Sequence, residues 1–246
     1  MSKESISSKY LNDTKAEYLS NLGCAPLRTN VVGVSPGNIG EAIKQSLLAR
    51  QHAVFAFDIA MKPRLGDFGE TSNLILANAE NAMDWIEDLT IGEIEKIIQS
   101  TLFDSIKYTQ QFVKETIGAP YKKKIVFIGS MAYKSVLNAS SVYCAAKAGL
   151  AHFARCMAWE LAPKGYDVFI VHPSNVLDTP MTEQTIQELM LYREINREQA
   201  EQYWGASLPR ESFLTKGEVA TIVSNLLDPV NAYMAGAQIE LGGGQR

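Results

Sequence analysis

Tyr143 and Lys147 stand four residues apart, and Ser130 stands 13 residues before the tyrosine. Residues i and i+4 share one face of a helix, so a helix over 141–161 would project the phenol and the ammonium together. A tyrosine phenol titrates at about pH 10 when unperturbed. A neighbouring ammonium favours the phenolate and lowers that value. Such a pair can exchange a proton with a hydroxyl or carbonyl near neutral pH. Ser130 closes an apolar strand over 124–129 and would hydrogen-bond the same oxygen. A lone Tyr-x3-Lys is commonly a solvated helix face, so the reading depends on what else the chain carries.

A second group lies upstream. Gly33-Val34-Ser35-Pro36-Gly37-Asn38-Ile39-Gly40 links a short strand at Val31-Val32 to a helix over 41–50. Glycines at a strand-to-helix turn let the backbone approach a pyrophosphate, which the helix N-terminus attracts. The spacing Gly-x3-Gly-x2-Gly is not the usual dinucleotide fingerprint, and an ordinary turn is the alternative. Asp58 ends the second strand, 18 residues after Gly40. An acid there bonds the adenosine ribose hydroxyls and repels a 2′-phosphate, which favours NAD over NADP. Lys62 and Arg64 follow closely and bear on that choice. A bound nicotinamide would carry the hydride chemistry that the Ser130, Tyr143 and Lys147 trio lacks.

The elements that must position these groups follow a strand–helix grammar. Strands are expected at 31–32, 53–57, 73–77, 124–129, 167–171 and 238–241. Helices are expected over 41–50, 91–117, 141–161 and 217–227. Apolar strands separated by long helices imply a parallel sheet covered on both faces. The fold class is therefore α/β, a doubly wound parallel sheet of Rossmann type in three α/β/α layers, with ligands at the carboxyl ends of the strands. Residues 1–29 read as an N-terminal arm with a short amphipathic helix around 9–22. Residues 30–246 read as a single dinucleotide-binding and catalytic domain.

The 246 residues carry a formal net charge of -4, 46% hydrophobic and 20% charged residues. That composition excludes general disorder, and the absence of basic excess argues against nucleic acid as a partner. Cys24, Cys144 and Cys156 form no CxxC pair, and His52, His152 and His172 are scattered, so no metal is expected. No apolar run approaches a membrane span. A cytoplasmic protein acting on a small molecule is the expectation. Tyr121-Lys122-Lys123-Lys124 reads as a solvated entry to its strand, and His172 as a structural residue. Ile186, Leu189, Met190 and Ile195 form an apolar stripe that faces either a pocket or the core. Phe103, Tyr108 and Phe112 read as core or subunit interface.

The chain resembles the short-chain dehydrogenase/reductase family, in its compact branch, over about 30–245. Ile125-Val126-Phe127-Ile128-Gly129-Ser130-Met131-Ala132 is similar to the serine-bearing strand, and Tyr143-Cys144-Ala145-Ala146-Lys147-Ala148-Gly149 to the catalytic helix. Trp159-Glu160-Leu161-Ala162-Pro163-Lys164-Gly165 resembles the end of that helix. His172-Pro173-Ser174-Asn175-Val176 and Asp178-Thr179-Pro180-Met181 resemble the segment beside the nicotinamide. Gly217-Glu218-Val219-Ala220 and Leu241-Gly242-Gly243-Gly244 fit the late helix and last strand. The resemblance implies Tyr143 as general acid/base. It implies that Lys147 lowers the tyrosine pKa and binds the nicotinamide ribose, and that Ser130 orients substrate. Pro173, Val176 and Thr179 would contact the nicotinamide end, and Asn78 and Ala79 would lie beside the adenosine. The resemblance also implies a homodimer or homotetramer.

Four departures accompany it. Val34 and Asn38 stand where two glycines are usual, leaving Ile39 and Gly40 in register. Only 14 residues, 59–72, separate Asp58 from the next strand, so one strand–helix unit is expected to be missing. Thr101 stands in place of a helix asparagine that serves a proton relay. Ser174 replaces a glycine, and Leu177 looks inserted. These departures motivate a competing reading, a non-catalytic dinucleotide-binding or scaffold protein on the same fold. A weaker one, a sugar-nucleotide epimerase or dehydratase, conflicts with the short C-terminal region.

Overall fold

Alternation along the strands builds the core. In β4 (Lys123–Ile128) Ile125 and Phe127 enter one buried cluster, while Val126 and Ile128 enter another. In β5 (Tyr166–Pro173) Val168 and Ile170 join the first cluster, and Phe169 and Val171 the second. Successive side chains of a strand point to opposite faces, so both faces of this sheet are buried, as an all-parallel sheet requires.

The computed structural model describes residues 28–58, 63–206, 208–210 and 212–244. The remaining strands of the main sheet are β1 (Arg28–Val32), β2 (Ala53–Phe57), β3 (Asn73–Leu76) and, late in the chain, β8 (Gln238–Leu241). The order is β2-β1-β3-β4-β5-β8, and every pairing is parallel. The helices are α1 (Ile39–Ala49), α2 (Ile91–Ile98), α3 (Asp104–Thr116), α4 (Ser141–Leu161), α5 (Pro180–Arg193), α6 (Arg197–Gly205) and α7 (Lys216–Leu226). Two-residue strands β6 (Val176–Leu177) and β7 (Leu214–Thr215) pair in parallel outside the main sheet. Among the described residues no helix is long and apolar enough to cross a membrane, and no metal-ligand cluster occurs.

The doubly wound Rossmann-type sheet is therefore the observed fold. The order reverses at β1, which separates β2 from β3, and ligands of such folds bind beyond the carboxyl ends at that switch point. The expected loss of a strand also stands among the described residues. Residues 63–72 hold only turns and bends, β2 is the edge strand, and its Phe55 is 48% exposed. Phe68 from this linker is fully buried and packs edge-on against Phe57 and Tyr108, filling space beside the sheet.

Several expectations need correction. The first strand begins at Arg28, inside the stretch read as an arm; the helix expected around 9–22, Cys24 and Lys62 lie outside the described residues. The helix expected over 91–117 is interrupted by a π-helical turn, Gln99–Phe103. There Asn78 donates its side-chain amide to the Ser100 carbonyl, and the Ser105 hydroxyl donates to the Thr101 carbonyl at 3.0 Å. An inserted side chain of this kind is what stabilises a π-turn inside a helix. Residues 180–205 are two helices, clasped by Arg197, which donates to Glu183 at 2.9 and 2.8 Å and to Glu201 at 2.9 Å. Ile186 is buried; Leu189, Met190 and Ile195 are half-buried. Tyr108 and Phe112 belong to the core, whereas Phe103 is exposed.

The largest correction concerns Lys123 and Lys124, which are buried, not solvated. Alternation sends them to opposite faces, and each caps a helix C-terminus. Lys123 donates to the Ala119 carbonyl at 3.0 Å, just beyond α3. Lys124 donates to the Leu226 and Asp228 carbonyls at 3.0 and 2.7 Å, at the end of α7. Terminal helix carbonyls lack intrahelical partners and carry partial negative charge. Lys124→Met removes a donor from both the Leu226 and Asp228 carbonyls, leaving the Asp228 carbonyl only the Asn231 N–H at 3.2 Å. The expected loss is about 1–3 kcal/mol, a fall in Tm of several degrees by calorimetry or circular dichroism. An unchanged or raised Tm would mean that desolvation of the ammonium outweighs its bonds.

Candidate active site

Strand β4 delivers Ser130 and helix α4 delivers Tyr143 and Lys147 to one place. Tyr143, Lys147, Leu150, Ala151 and Ala154 are all buried positions of α4, so one face of the helix lies on the sheet. The Ser130 side chain is near enough to the Tyr143 phenol to favour its ionised form, and its hydroxyl accepts the Ala132 N–H at 3.2 Å. The Lys147 ammonium donates to the Ile128 carbonyl at 2.9 Å and lies 5.6 Å from the centre of the Tyr143 ring. Ile97, Ala132 and Ala146 pack around Tyr143, with Ala79 and Ala82 against the same cluster.

Burial dominates the titration of both groups. It pushes the Tyr143 phenol up to about 12, with the Ser130 side chain acting against it. It pushes Lys147 down to about 7. The phenol therefore moves opposite to the downward shift expected of a neighbouring ammonium. The physical reason is that low polarity disfavours both charged forms, while Lys147 directs its ammonium at the Ile128 carbonyl. At neutral pH Tyr143 is a neutral proton donor.

His172, read as structural, has a specific place beneath the serine. Its ring is fully buried and stacks on Tyr133 with centroids 4.0 Å apart. The Ser130 N–H donates to its Nδ1 at 3.3 Å, and its Nε2 pairs with the Gln238 Oε1 at 2.7 Å. Burial holds its pKa below the usual imidazole value. Gly129 is needed for this approach, because a Cβ there would lie 2.4 Å from the His172 Nδ1. The sequence signal was a glycine directly before the serine; its partner could not be read from one chain.

The glycine turn is tightly internal. The Asn38 side chain caps α1, accepting from Glu41 N–H at 2.9 Å and Ser35 N–H at 3.2 Å, and donates to the Gly33 carbonyl at 2.8 Å. A Cβ on Gly33 would lie 2.4 Å from the Asn78 nitrogen, and one on Gly40 would lie 2.4 Å from the Gly33 oxygen. Gly33 and Gly40 thus permit backbone packing. Ile39 packs partly buried against the second core cluster. Asp58, at the carboxyl end of β2, accepts from the Ser35 hydroxyl at 2.9 Å, which joins the acid to the turn. Asn78 is buried beside Gly33, and its Oδ1 has no hydrogen-bond partner. Asp58 and this unpartnered acceptor fit the adenosine side of a dinucleotide, whose hydroxyls and amine are donors.

Pro173 ends β5 opposite Leu241, and Val176 is buried in the second core cluster. Thr179 caps α5, accepting from the Thr182 N–H at 3.1 Å. A cavity of about 380 Å³ opens between the glycine turn and α5, lined by Gly37, Asp178, Thr179, Glu183, Ile186 and Arg197 among others. Thr101, in the π-turn, donates to the Glu80 carbonyl at 3.4 Å.

A family model described as short chain dehydrogenase matches residues 67–189, half of the chain. Sorbitol-6-phosphate 2-dehydrogenase of Escherichia coli is 24% identical over 178 residues, 72% of this chain and 69% of that protein. The 3-oxoacyl-[acyl-carrier-protein] reductase MabA of Mycobacterium bovis is 26% identical over 172 residues, 70% of this chain and 64% of that protein. So the match spans less than two thirds of the reductase. Among solved structures, a short chain dehydrogenase family protein from Francisella tularensis superposes with a TM-score of 0.78 at 21% identity, covering 89% of this chain and 98% of that one. A variant of actinorhodin polyketide ketoreductase with NADPH gives 0.77 at 19% identity, covering 89% and 96%. The two structural likenesses bear on the fold. The family match, which spans Ser130, Tyr143 and Lys147, shows that the chain belongs to the short chain dehydrogenase family.

Proposed function

We propose that the protein is an NAD(H)-dependent oxidoreductase that interconverts an alcohol and a ketone or aldehyde on a small organic substrate. The observation that carries this reading is the convergence of Tyr143 and Lys147 on one buried helix face, the ammonium 5.6 Å from the ring centre, with Ser130 beside the phenol. The nicotinamide, when bound, supplies or accepts the hydride. Tyr143 donates its phenolic proton to the substrate oxygen in reduction and takes it back in oxidation. Ser130 accepts the Ala132 N–H, which leaves its own proton free to hold that oxygen. Lys147, held on the Ile128 carbonyl, keeps a positive charge 5.6 Å from the ring centre of the resulting phenolate.

A donor whose pKa is raised to about 12 suits reduction. Lys147, lowered to about 7, loses its charge as pH rises through that value. The reductive rate is therefore expected to be highest below about pH 7 and to fall above it. Oxidation needs the phenolate and is expected to rise toward alkaline pH. A reductive rate that climbs between pH 7 and 9 would contradict this assignment.

Asp58 supports NAD rather than NADP, since its carboxylate repels a 2′-phosphate; the NADPH-bound ketoreductase keeps the alternative in view. Titration with NADH and with NADPH, followed by nicotinamide fluorescence, decides it. Tighter NADH binding is expected, and tighter NADPH binding would overturn the role of Asp58. The two named relatives act on a sugar phosphate and a 3-oxoacyl thioester, so a substrate panel starts with phosphorylated ketoses and 3-oxoacyl thioesters. Exposed Phe103, Ile106 and Trp159 on the long helices support a homodimer or homotetramer, which light scattering would test. A cytoplasmic location completes the proposal.

A further inference from the structure

Several of the N–H groups at the glycine turn are already engaged within it. Helix N-termini bind phosphates through free N–H groups and the positive end of the dipole. Here the Ser35 and Glu41 N–H groups are both taken by the Asn38 side chain. The Gly37 N–H donates to the Glu41 carboxylate at 2.6 Å. Glu41 therefore brings a negative charge to the place where a diphosphate would approach.

A cation stands opposite. Lys216, the first residue of α7, donates to the Gly37 carbonyl at 3.1 Å and to the Asp178 carbonyl at 3.0 Å. Its ammonium thus bridges the glycine turn and the segment after β6, two walls of the 380 Å³ cavity. Gly37 has a positive φ of 79°, and a Cβ there would lie 3.9 Å from the Pro180 ring, so the walls are close. Both partners of Lys216 are neutral carbonyls. Arg197, the cation lining the cavity, is already shared between Glu183 and Glu201. Phosphate oxygens are stronger acceptors for an ammonium than peptide carbonyls.

We propose that Lys216 is the diphosphate-binding cation of this protein, exchanging its two carbonyl partners for oxygens of a dinucleotide, and that Glu41 opposes the same ligand. This rests on the proposed use of a dinucleotide and goes beyond it, by assigning the charge that holds the phosphates to α7 rather than to the glycine turn.

The test is a set of binding titrations on the full chain and its variants. NADH is followed by nicotinamide fluorescence, and ADP and adenosine by competition against NADH. Lys216→Gln is expected to weaken NADH and ADP about tenfold or more, to leave adenosine unchanged and to flatten the salt dependence of NADH binding. Lys216→Arg is expected to keep most of the affinity, and Glu41→Gln to raise it. Equal NADH and ADP binding by wild type and Lys216→Gln would overturn the assignment. So would a parallel weakening of adenosine, which carries no phosphate and would report a general disturbance. Failure of the wild type to bind NADH, NADPH and ADP would remove the dinucleotide reading itself, and that is seen before any variant is made.

Discussion

Tyr143→Phe is expected to lower the rate of carbonyl reduction by about 10²- to 10⁴-fold, the usual contribution of a positioned general acid. The phenyl ring keeps its packing against Ile97, Ala132 and Ala146. Only the hydroxyl beside Ser130 is lost. The variant should therefore melt like the wild type and bind NADH within about twofold of it. A drop in kcat with unchanged cofactor affinity separates proton transfer from binding. Turnover that survives the change undiminished would remove Tyr143 from the reaction.

Gly33→Ala is expected to do the largest damage to the fold. Its φ of 85° is strained for any L side chain, and the added Cβ would lie 2.4 Å from the Asn78 nitrogen and 2.7 Å from the Ala77 carbonyl carbon. These are backbone atoms at the end of β3, so no rotamer change relieves the clash. The Gly33 and Val34 N–H groups also donate to the Phe57 carbonyl at 2.9 and 3.0 Å, which ties the turn to β2. The strain alone costs about 1–3 kcal/mol, and displacement of β3 against β1 adds to it. A fall in Tm of about 10 °C or more, or loss of soluble protein, is expected. Gly37→Ala is the control: it has a positive φ but meets nothing closer than 3.9 Å, so a loss of about 1 kcal/mol is expected. Equal melting of the two variants would mean that Gly33 is not a packing point.

Residues whose roles follow from local pattern were legible in the sequence. The alternating faces of Ile125–Ile128, the edges of the strand at 53–57 and the helix over 141–161 come from periodicity, and the structure reproduces them. The approach of Ser130 to Tyr143 follows from a strand end and a helix face. The short linker after Asp58 indicated a missing strand, and none occurs among its described residues, 63–72. What could not be read depends on tertiary partners. Lys123 and Lys124 looked solvated because lysine usually is; Lys124 finds its carbonyls about 100 residues further on, and Lys123 turns back to the carbonyl of Ala119, a side-chain choice with no periodic signal. The π-turn at Gln99–Phe103 depends on Asn78 reaching Ser100. The upward shift of Tyr143 depends on burial, which spacing does not report. Glu41 turning back to the Gly37 N–H and Lys216 joining the Gly37 and Asp178 carbonyls are side-chain choices with no periodic signal.

The most direct measurement is turnover. The purified protein is incubated with NADH and a panel of phosphorylated ketoses, 3-oxoacyl thioesters and simple ketones, and NADH loss is compared with alcohol formed. The account predicts stoichiometric NADH consumption and alcohol formation with at least one class, abolished by Tyr143→Phe. NADH binding without consumption by any class would contradict it and favour a dinucleotide-binding protein that performs no chemistry.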